Sequence, residues 1–494
     1  MPDLLIRGAR LAGGLVDVTV RAGRIASVAP SDAEMGAVCR EVRPGAPVSA
    51  HRTHLDAEVV DADGRWVVPG LWDEHVHFDT WAASRRRIDL SAAGSAAEAA
   101  ALVIAAAPPG DGLVVGRSFR DALWPDAPDR ALLDGAFPDR PVVLLSADLH
   151  CCWLNGAALA RFGAAESATG LLREDAGFAV LRGLEDAEPA QRDAWAREAA
   201  QASAARGVVG IHDLEMGDGI ERWRRRAAAG FDLLRVEAGI YAPGLDRAEA
   251  EGLSTGQALG PLLSVGRFKT ITDGSLGTRT AYCVDPYPGT DDHGVLAVGP
   301  EELREQLRRA SAIGLEPAVH AIGDEANRLA LDAMIELGTR GRIEHAQLLR
   351  DPDVERFVAG GIEASIQPEH AMDDRDIADR YWAGRTDRGF LIRTLLDAGV
   401  RVRFGSDAPV AALDPWHAIS AAVLRSRDGR EPWHPEQAID AADALACSVR
   451  SAIRPGEPAD LALLDADPFG DPGALRDMPV AATLLGGRWT HRVV

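Results

Sequence analysis

His75-Val-His77 places two imidazoles two residues apart. In an extended segment residues i and i+2 face the same side, so both rings can reach one metal ion. Three more side chains of metal-binding type each follow a short apolar run. His320 follows Leu315-Glu-Pro-Ala-Val319, His345 follows Gly341-Arg-Ile-Glu344, and Asp407 follows Val400-Arg-Val-Arg-Phe-Gly-Ser406. Lys269 lies inside another such run and is the single lysine among 53 Lys+Arg. Where arginine supplies every other basic charge, a lone lysine points to a task that a guanidinium cannot perform. An amine loses its proton near neutral pH and forms covalent adducts; arginine does neither readily. Taken singly, each residue has an ordinary alternative: a core histidine satisfied by backbone, a helix N-cap at Asp407, a salt-bridged lysine. Their ordered recurrence at strand ends is what a metal centre on a barrel rim requires.

Such side chains meet only if a parallel sheet gathers the strand ends. Ten apolar stretches alternate with amphipathic helical ones, the pattern of a parallel α/β sheet or barrel. They are Trp66–Leu71, Gly112–Gly116, Pro141–Leu145, Val208–His212, Leu234–Gly239, Phe268–Thr272, Leu315–Val319, Arg342–Ile343, Glu363–Ile366 and Val400–Phe404. Eight strands close a TIM-type (β/α)8 barrel, so the surplus pair, Gly112–Gly116 and Pro141–Leu145, predicts an α/β insertion spanning about residues 85–205. Short alternating strands with glycine turns stand at both ends, Leu4–Arg10 and Val16–Val20 at one, Ala459–Asp465 and Ala481–Trp489 at the other. We expect them to pair into one small β-sandwich of residues 1–66 and 455–494, flanking a barrel domain of residues 67–454. The Pro/Ala/Gly/Glu-rich stretch 30–56 is expected to be a surface loop.

The net charge of −22 argues against nucleic-acid and anionic-membrane partners. Five cysteines form no CxxC pair, which suits a reducing compartment. The N-terminus lacks the basic and apolar regions of a signal peptide, and no 18-residue apolar run exists to span a bilayer. The expectation is a cytoplasmic homodimer acting on a small molecule.

Seven stretches spread over nearly the whole chain carry a resemblance. They are Val68-Pro-Gly-Leu-Trp-Asp-Glu-His-Val-His77, Thr272-Asp-Gly-Ser-Leu-Gly-Thr-Arg-Thr-Ala281, His320-Ala-Ile-Gly-Asp324, Arg342-Ile-Glu-His-Ala-Gln347, Ser365-Ile-Gln-Pro-Glu-His370, Phe404-Gly-Ser-Asp-Ala-Pro-Val410 and Pro458-Ala-Asp-Leu-Ala-Leu-Leu464. In combination they resemble the amidohydrolase superfamily, in the family-3 branch that includes N-substituted formamide deformylases. The resemblance implies a barrel with a sandwich built from both termini and a zinc centre, often of two ions. It implies His75, His77 and Asp407 on one ion, His320 and His345 on the other, and Lys269 bridging them as the carbamate formed with carbon dioxide. The activity implied is hydrolysis of a non-peptide C–N bond, an amide or formamide, by a metal-activated hydroxide, with Asp407 as proton shuttle. His320 serves there as both ligand and catalytic residue, and His150 and His370 are candidate donors to the oxyanion.

The chain departs from the family pattern at Leu149, where glycine is expected before His150. Asp324 and His212 are candidates for orienting ligands, Glu344 is expected to point away from the metals, and the Asp273-Gly-Ser-Leu-Gly277 stretch is a turn or a substrate-facing loop. Trp72, Trp81, Trp124, Trp153 and Trp382 could line an apolar pocket or fill cores. Alternatives on the same site are an ester, lactone or cyclic imide hydrolase. A mononuclear deaminase expects His-x-x-Glu after the fifth strand, where this chain has Gly323 and Asp324. A non-catalytic binding barrel would be expected to have lost one or more ligands.

Overall fold

The computed structural model describes residues 3–31, 57–184 and 187–493. The loop expected over residues 30–56 therefore lies, but for its first two residues, outside the described residues.

Eight parallel strands form the central sheet, each paired to its neighbour in chain order. We label them β1 (Leu71–Val76), β2 (Val208–Asp213), β3 (Arg235–Tyr241), β4 (Leu263–Ile271), β5 (Pro317–Ala321), β6 (Arg342–His345), β7 (Glu363–Ile366) and β8 (Val402–Phe404). The ring is nearly closed between β1 and β8, where Val76 bridges Ala408. Asp407 N donates to His75 O at 2.7 Å and His77 N to Ala408 O at 2.9 Å, so the seam is stitched beside the candidate ligands. This is the expected (β/α)8 barrel.

The sequence dictates which helix faces turn inward. In helix Pro300–Ala312 the buried residues are Leu303, Leu307 and Ala310, spaced four and three apart on one stripe. Its charged residues, such as Glu301, Glu305 and Arg308, take the outer side. Each fully buried leucine contributes about 1.5–3 kcal/mol of transfer free energy. Proline at the first position and acids in the first turn fix the start of this helix.

One expected strand is two. Trp66–Pro69 pairs antiparallel with Leu461–Leu464 in the terminal sheet, and β1 begins at Leu71. Gly70 is the switch: a Cβ there would lie 2.4 Å from Val209 Cγ1, so only glycine lets the chain pass from one sheet to the other. His75 accordingly sits within β1 rather than beyond it.

The terminal sheet has eight strands drawn from both ends of the chain. Its core joins Leu4, Ile6, Val18 and Ile25 to Leu461, Leu463 and Leu484. The insertion carries a five-stranded sheet: Ile88–Asp89, Val114–Phe119, Val142–Ser146, Cys151–Leu154 and Leu171–Arg173. The helix Pro189–Ala204 belongs elsewhere than expected. Its Ala196, Ala199 and Ala200 pack into the barrel core, so it is an outer barrel helix rather than part of the inserted layer. No helix among the described residues is long and apolar enough to cross a membrane.

Candidate metal centre

The C-terminal ends of β1, β4, β5 and β6, with the loop after β8, bring His75, His77, Lys269, His320, His345 and Asp407 to one cleft of about 1090 Å³. A second lobe of about 640 Å³ shares His150, His320, His345 and Asp407 and adds His370. Every residue expected to hold metal or take part in catalysis therefore reaches this double cleft. His150 arrives from the insertion, and His370 from the first turn of helix Pro368–Tyr381.

His75, His77 and Asp407 form one trio whose ligand atoms lie within 4.8 Å of one another, and His345, His370 and Asp407 form another. Asp407 Oδ1 is 3.4 Å from His75 Nε2 and 3.3 Å from His77 Nε2. Its backbone has φ 56, and His345 has φ 73. Non-glycine residues rarely hold this left-handed conformation; the surrounding strand ends impose it, and it aims both side chains into the cleft. His320 belongs to neither trio. Its Nε2 lies 3.2 Å from Gly274 O, and its ring packs at 4.4 Å on that of His345. The structure thus groups His370 more closely with His345 and Asp407 than the sequence suggested.

Protonation suits metal binding. Burial, reinforced by Lys269, lowers His75 to about 4. Burial also drives His320 and His345 well below the ordinary imidazole value. Neutral imidazoles keep a lone pair for a metal. Burial disfavours the His77 cation, but the hydrogen bond to Asp407 outweighs it and raises the value. For Asp407 the cost of burial is overcome by His75, His77 and His345, which hold its carboxyl well below the usual range. Burial lowers Lys269 to about 8, bringing the neutral amine within reach near physiological pH. Lys269 is only 1% exposed, and Nζ lies 3.4 Å from His75 Nε2.

A metal fits this set on the structure's own terms. His345 Nδ1 and His370 Nε2 are buried without a hydrogen-bond partner among the described residues. Buried polar atoms are otherwise almost always satisfied. His75 Nδ1 donates to Glu344 Oε2 at 2.8 Å, which fixes the tautomer and leaves Nε2 facing Asp407 and Lys269. A carboxylate behind a ligating imidazole orients the ring and raises its basicity. Glu344 was expected to point away from the metals, yet it supports one of the candidate ligands. The signal available in the sequence was the two-residue spacing to Arg342, whose Nε pairs with the other Glu344 oxygen. Arg342 also binds Glu74 Oε2 at 3.0 Å and donates to His212 Nδ1, so His212 braces the strand ends below the cleft.

The other predictions separate. Asp324 accepts from Val284 N at 2.9 Å and lines neither lobe. Asp273 is a loop anchor that accepts from Tyr282, Ile322 and Gly323 N–H groups, and burial raises it to about 7. The Ser275–Gly277 part of the same stretch does face the second lobe, and Ser275 Oγ donates to Asp148 at 2.6 Å. Leu149 takes φ 63, the conformation its expected glycine would favour, so the leucine does not displace His150. Burial opposes the His150 cation, but the 2.9 Å contact of Nδ1 with Glu174 outweighs it and raises the value to about 9. None of the five tryptophans singled out lines either lobe; Trp153 and Trp382 are wholly buried in cores. The cleft instead receives Trp195 and Phe178, which periodicity alone did not mark.

The model of a family described as the amidohydrolase family matches residues 58–491. The chain is 29% identical over 485 residues to the amidohydrolase YtcJ of Bacillus subtilis (strain 168), covering 88% of this chain and 90% of that protein. It is 27% identical over 494 residues to an N-substituted formamide deformylase of Arthrobacter pascens, covering 87% and 89%. Its fold is similar to an uncharacterized metal-dependent hydrolase from Pyrococcus horikoshii OT3, with a TM-score of 0.75 and 25% identity over 96% of this chain and 99% of that one.

Proposed function

The chain belongs to the amidohydrolase family of metal-dependent hydrolases, and from that premise we propose that it cleaves a non-peptide C–N bond, an amide or formamide, of a small molecule. The observation that carries this reading is the convergence of His75, His77, His320, His345, Asp407 and the chain's only lysine on a single cleft. We propose two zinc ions. His75, His77 and Asp407 would hold the first, His320 and His345 the second, and Lys269, carboxylated by carbon dioxide, would bridge them. Bound zinc supplies a Lewis acid that polarises the scissile carbonyl and acidifies the attacking water.

The chain's own groups do the rest. Glu344 holds His75 in its ligating tautomer. Asp407 takes the proton of the attacking water and returns it to the leaving nitrogen. His150, kept cationic by Glu174, and His370 donate to the carbonyl oxygen as negative charge gathers there. Phe178 and Trp195 of the cleft exclude water from the reacting bond. The buried thiols of Cys151, Cys152, Cys283 and Cys447, none in a disulfide, support a cytoplasmic setting.

Metal analysis with and without bicarbonate, paired with hydrolysis of N-formyl and N-acyl amines, tests this. We expect two zinc ions per chain and activity that rises with bicarbonate, and we expect Lys269→Arg to lose both features. One tightly held ion and indifference to bicarbonate would refute the bridged pair. The trio of His345, His370 and Asp407 favours a second reading in which His370 is the ligand. His370→Asn separates the two: a donor role predicts full metal content with reduced kcat, a ligand role predicts loss of metal.

A further inference from the structure

The run Arg85-Arg86-Arg87 presents three guanidinium groups with three different fates. Arg85 lies over the Trp81 ring, 5.2 Å from its centroid, and Arg86 pairs with Glu198. Arg87 lines the main lobe of the metal cleft, where its side chain makes no hydrogen bond or ion pair among the described residues, and its Nη1 is sealed from solvent without a partner. Among the described residues, each carboxylate lining that lobe has its hydrogen bonds or ion pairs with other groups. Asp79 is held by Arg222 and Arg226, Asp148 accepts from Ser146 and Ser275, and Glu215 accepts from Thr80 N and Oγ1 and attracts Arg87 only through space, without an ion pair. Asp407 faces the imidazoles. Burial pushes Arg87 down to about 10 although the Glu215 carboxylate pulls the other way, so its charge is held at a cost. Arg87 as a whole is half-buried, but a guanidinium nitrogen sealed from water is ordinarily paired, because an unpaired one forfeits its hydration without return. Arg182 and Arg192 line the same lobe and add further positive charge, in a chain whose net charge is −22. Between them the wall is apolar, with Phe178, Leu181 and Trp195.

We propose that Arg87 is the anchor of an anion subsite, and that the substrate carries a carboxylate at the far end of an apolar body from the bond being cleaved. The planar fork of the guanidinium matches a carboxylate in two parallel hydrogen bonds, which Lys or a neutral donor does not reproduce. Arg87 is then a specificity-determining residue: it selects acidic amides over neutral ones of equal size. This rests on reading the cleft as a hydrolase site.

Binding of 4-phenylbutyrate and of its neutral partner, 4-phenylbutyramide, is measured by calorimetry on the full chain, zinc-loaded and chelator-stripped. The stripped arm removes direct coordination of the carboxylate by metal. We expect wild type to prefer the carboxylate by about tenfold or more in both arms, as loss of a charge-assisted pair implies. Arg87→Met should abolish the preference, and Arg87→Lys should keep part of it. A preference that survives in Arg87→Met, or that is absent from stripped wild type, overturns the subsite. Should Arg87→Met not fold, the wild-type comparison and Arg87→Lys decide in the same way. Turnover is scored separately on acidic and neutral N-acyl amines. Absence of all hydrolysis with the carboxylate preference intact removes the hydrolase reading and leaves the subsite standing, whereas equal hydrolysis of both classes, unchanged in Arg87→Met, does the reverse.

Discussion

At the scale of single residues, the centre depends on groups that set the state of their neighbours. Glu344 is wholly buried and divides its oxygens between His75 Nδ1 and Arg342 Nε. Such outer partners of metal-bound imidazoles typically account for about 10–100-fold in metal affinity. We therefore expect Glu344→Gln to weaken zinc binding by about that factor, read by competition with a chromophoric chelator. Unchanged affinity would show that the His75 tautomer is fixed by something else. Rarity marks such residues. The two asparagines, Asn155 and Asn327, are both fully buried and each bonds several backbone groups. Asn155 caps a helix and ties Phe137 O and Arg140 O, while Asn327 Nδ2 reaches Gly323 O and Leu348 O beside the ends of β5 and β6. In a chain that uses lysine and asparagine so sparingly, the survivors hold places where arginine or aspartate would fail.

At the scale of elements, the seam between β1 and β8 sets the site. Asp73 Oδ1 accepts from His75 N and from Ser406 N, clamping the two strand ends together. Gly405 makes the close approach possible, since a Cβ there would sit 2.6 Å from His75 N. Gly405→Ala should push the β8 loop off β1 and carry Asp407 away from the imidazoles. We expect a loss of about 1–3 kcal/mol in stability by chemical denaturation, with zinc content falling in the same variant. Retention of full metal with wild-type stability would mean that the seam yields without moving Asp407. The legibility of elements was uneven. Seven barrel strands were readable because strands buried on both faces tend to be apolar runs. The division at Gly70 was not, because Trp66–Leu71 is equally apolar on either side of the switch and only its two different partners separate the halves.

At the scale of the whole molecule, a buried ion network binds segments far apart in the chain. Arg450 meets Glu74 Oε1 at 2.6 Å and Glu237 Oε1 at 2.6 Å, and lies 3.8 Å from the centroid of the Trp72 ring. It thereby joins β1, β3 and the segment leading to the C-terminal strands. Burial alone would raise Glu74, but Arg450 and Arg342 overcome it and lower the group to about 2. A carboxyl lowered on folding stabilises the fold at pH above its unfolded value of 4.5, and that contribution drains away as pH falls from there towards 2. Its size is about 3 kcal/mol. Arg450→Met leaves Glu74 with one cation fewer and should cost about 3–5 kcal/mol near neutrality, seen as a lowered denaturation midpoint. The cost should shrink as acid protonates Glu74. An acid profile parallel to that of wild type would show that Arg450 acts by packing on Trp72 instead.

The amino-acid sequence by itself determined the alternation that makes a barrel, the pairing of the two termini into one sheet, and the residue types able to hold a metal, because these follow from periodicity and side-chain chemistry. Tertiary structure decided which of them meet: that His370 joins His345 and Asp407, that Glu344 turns to His75, that Trp195 rather than the other tryptophans singled out reaches the cleft, and that Arg87 enters it without an ion pair among the described residues. Those outcomes depend on distances between groups up to hundreds of residues apart in the chain, and local pattern carries no record of such distances.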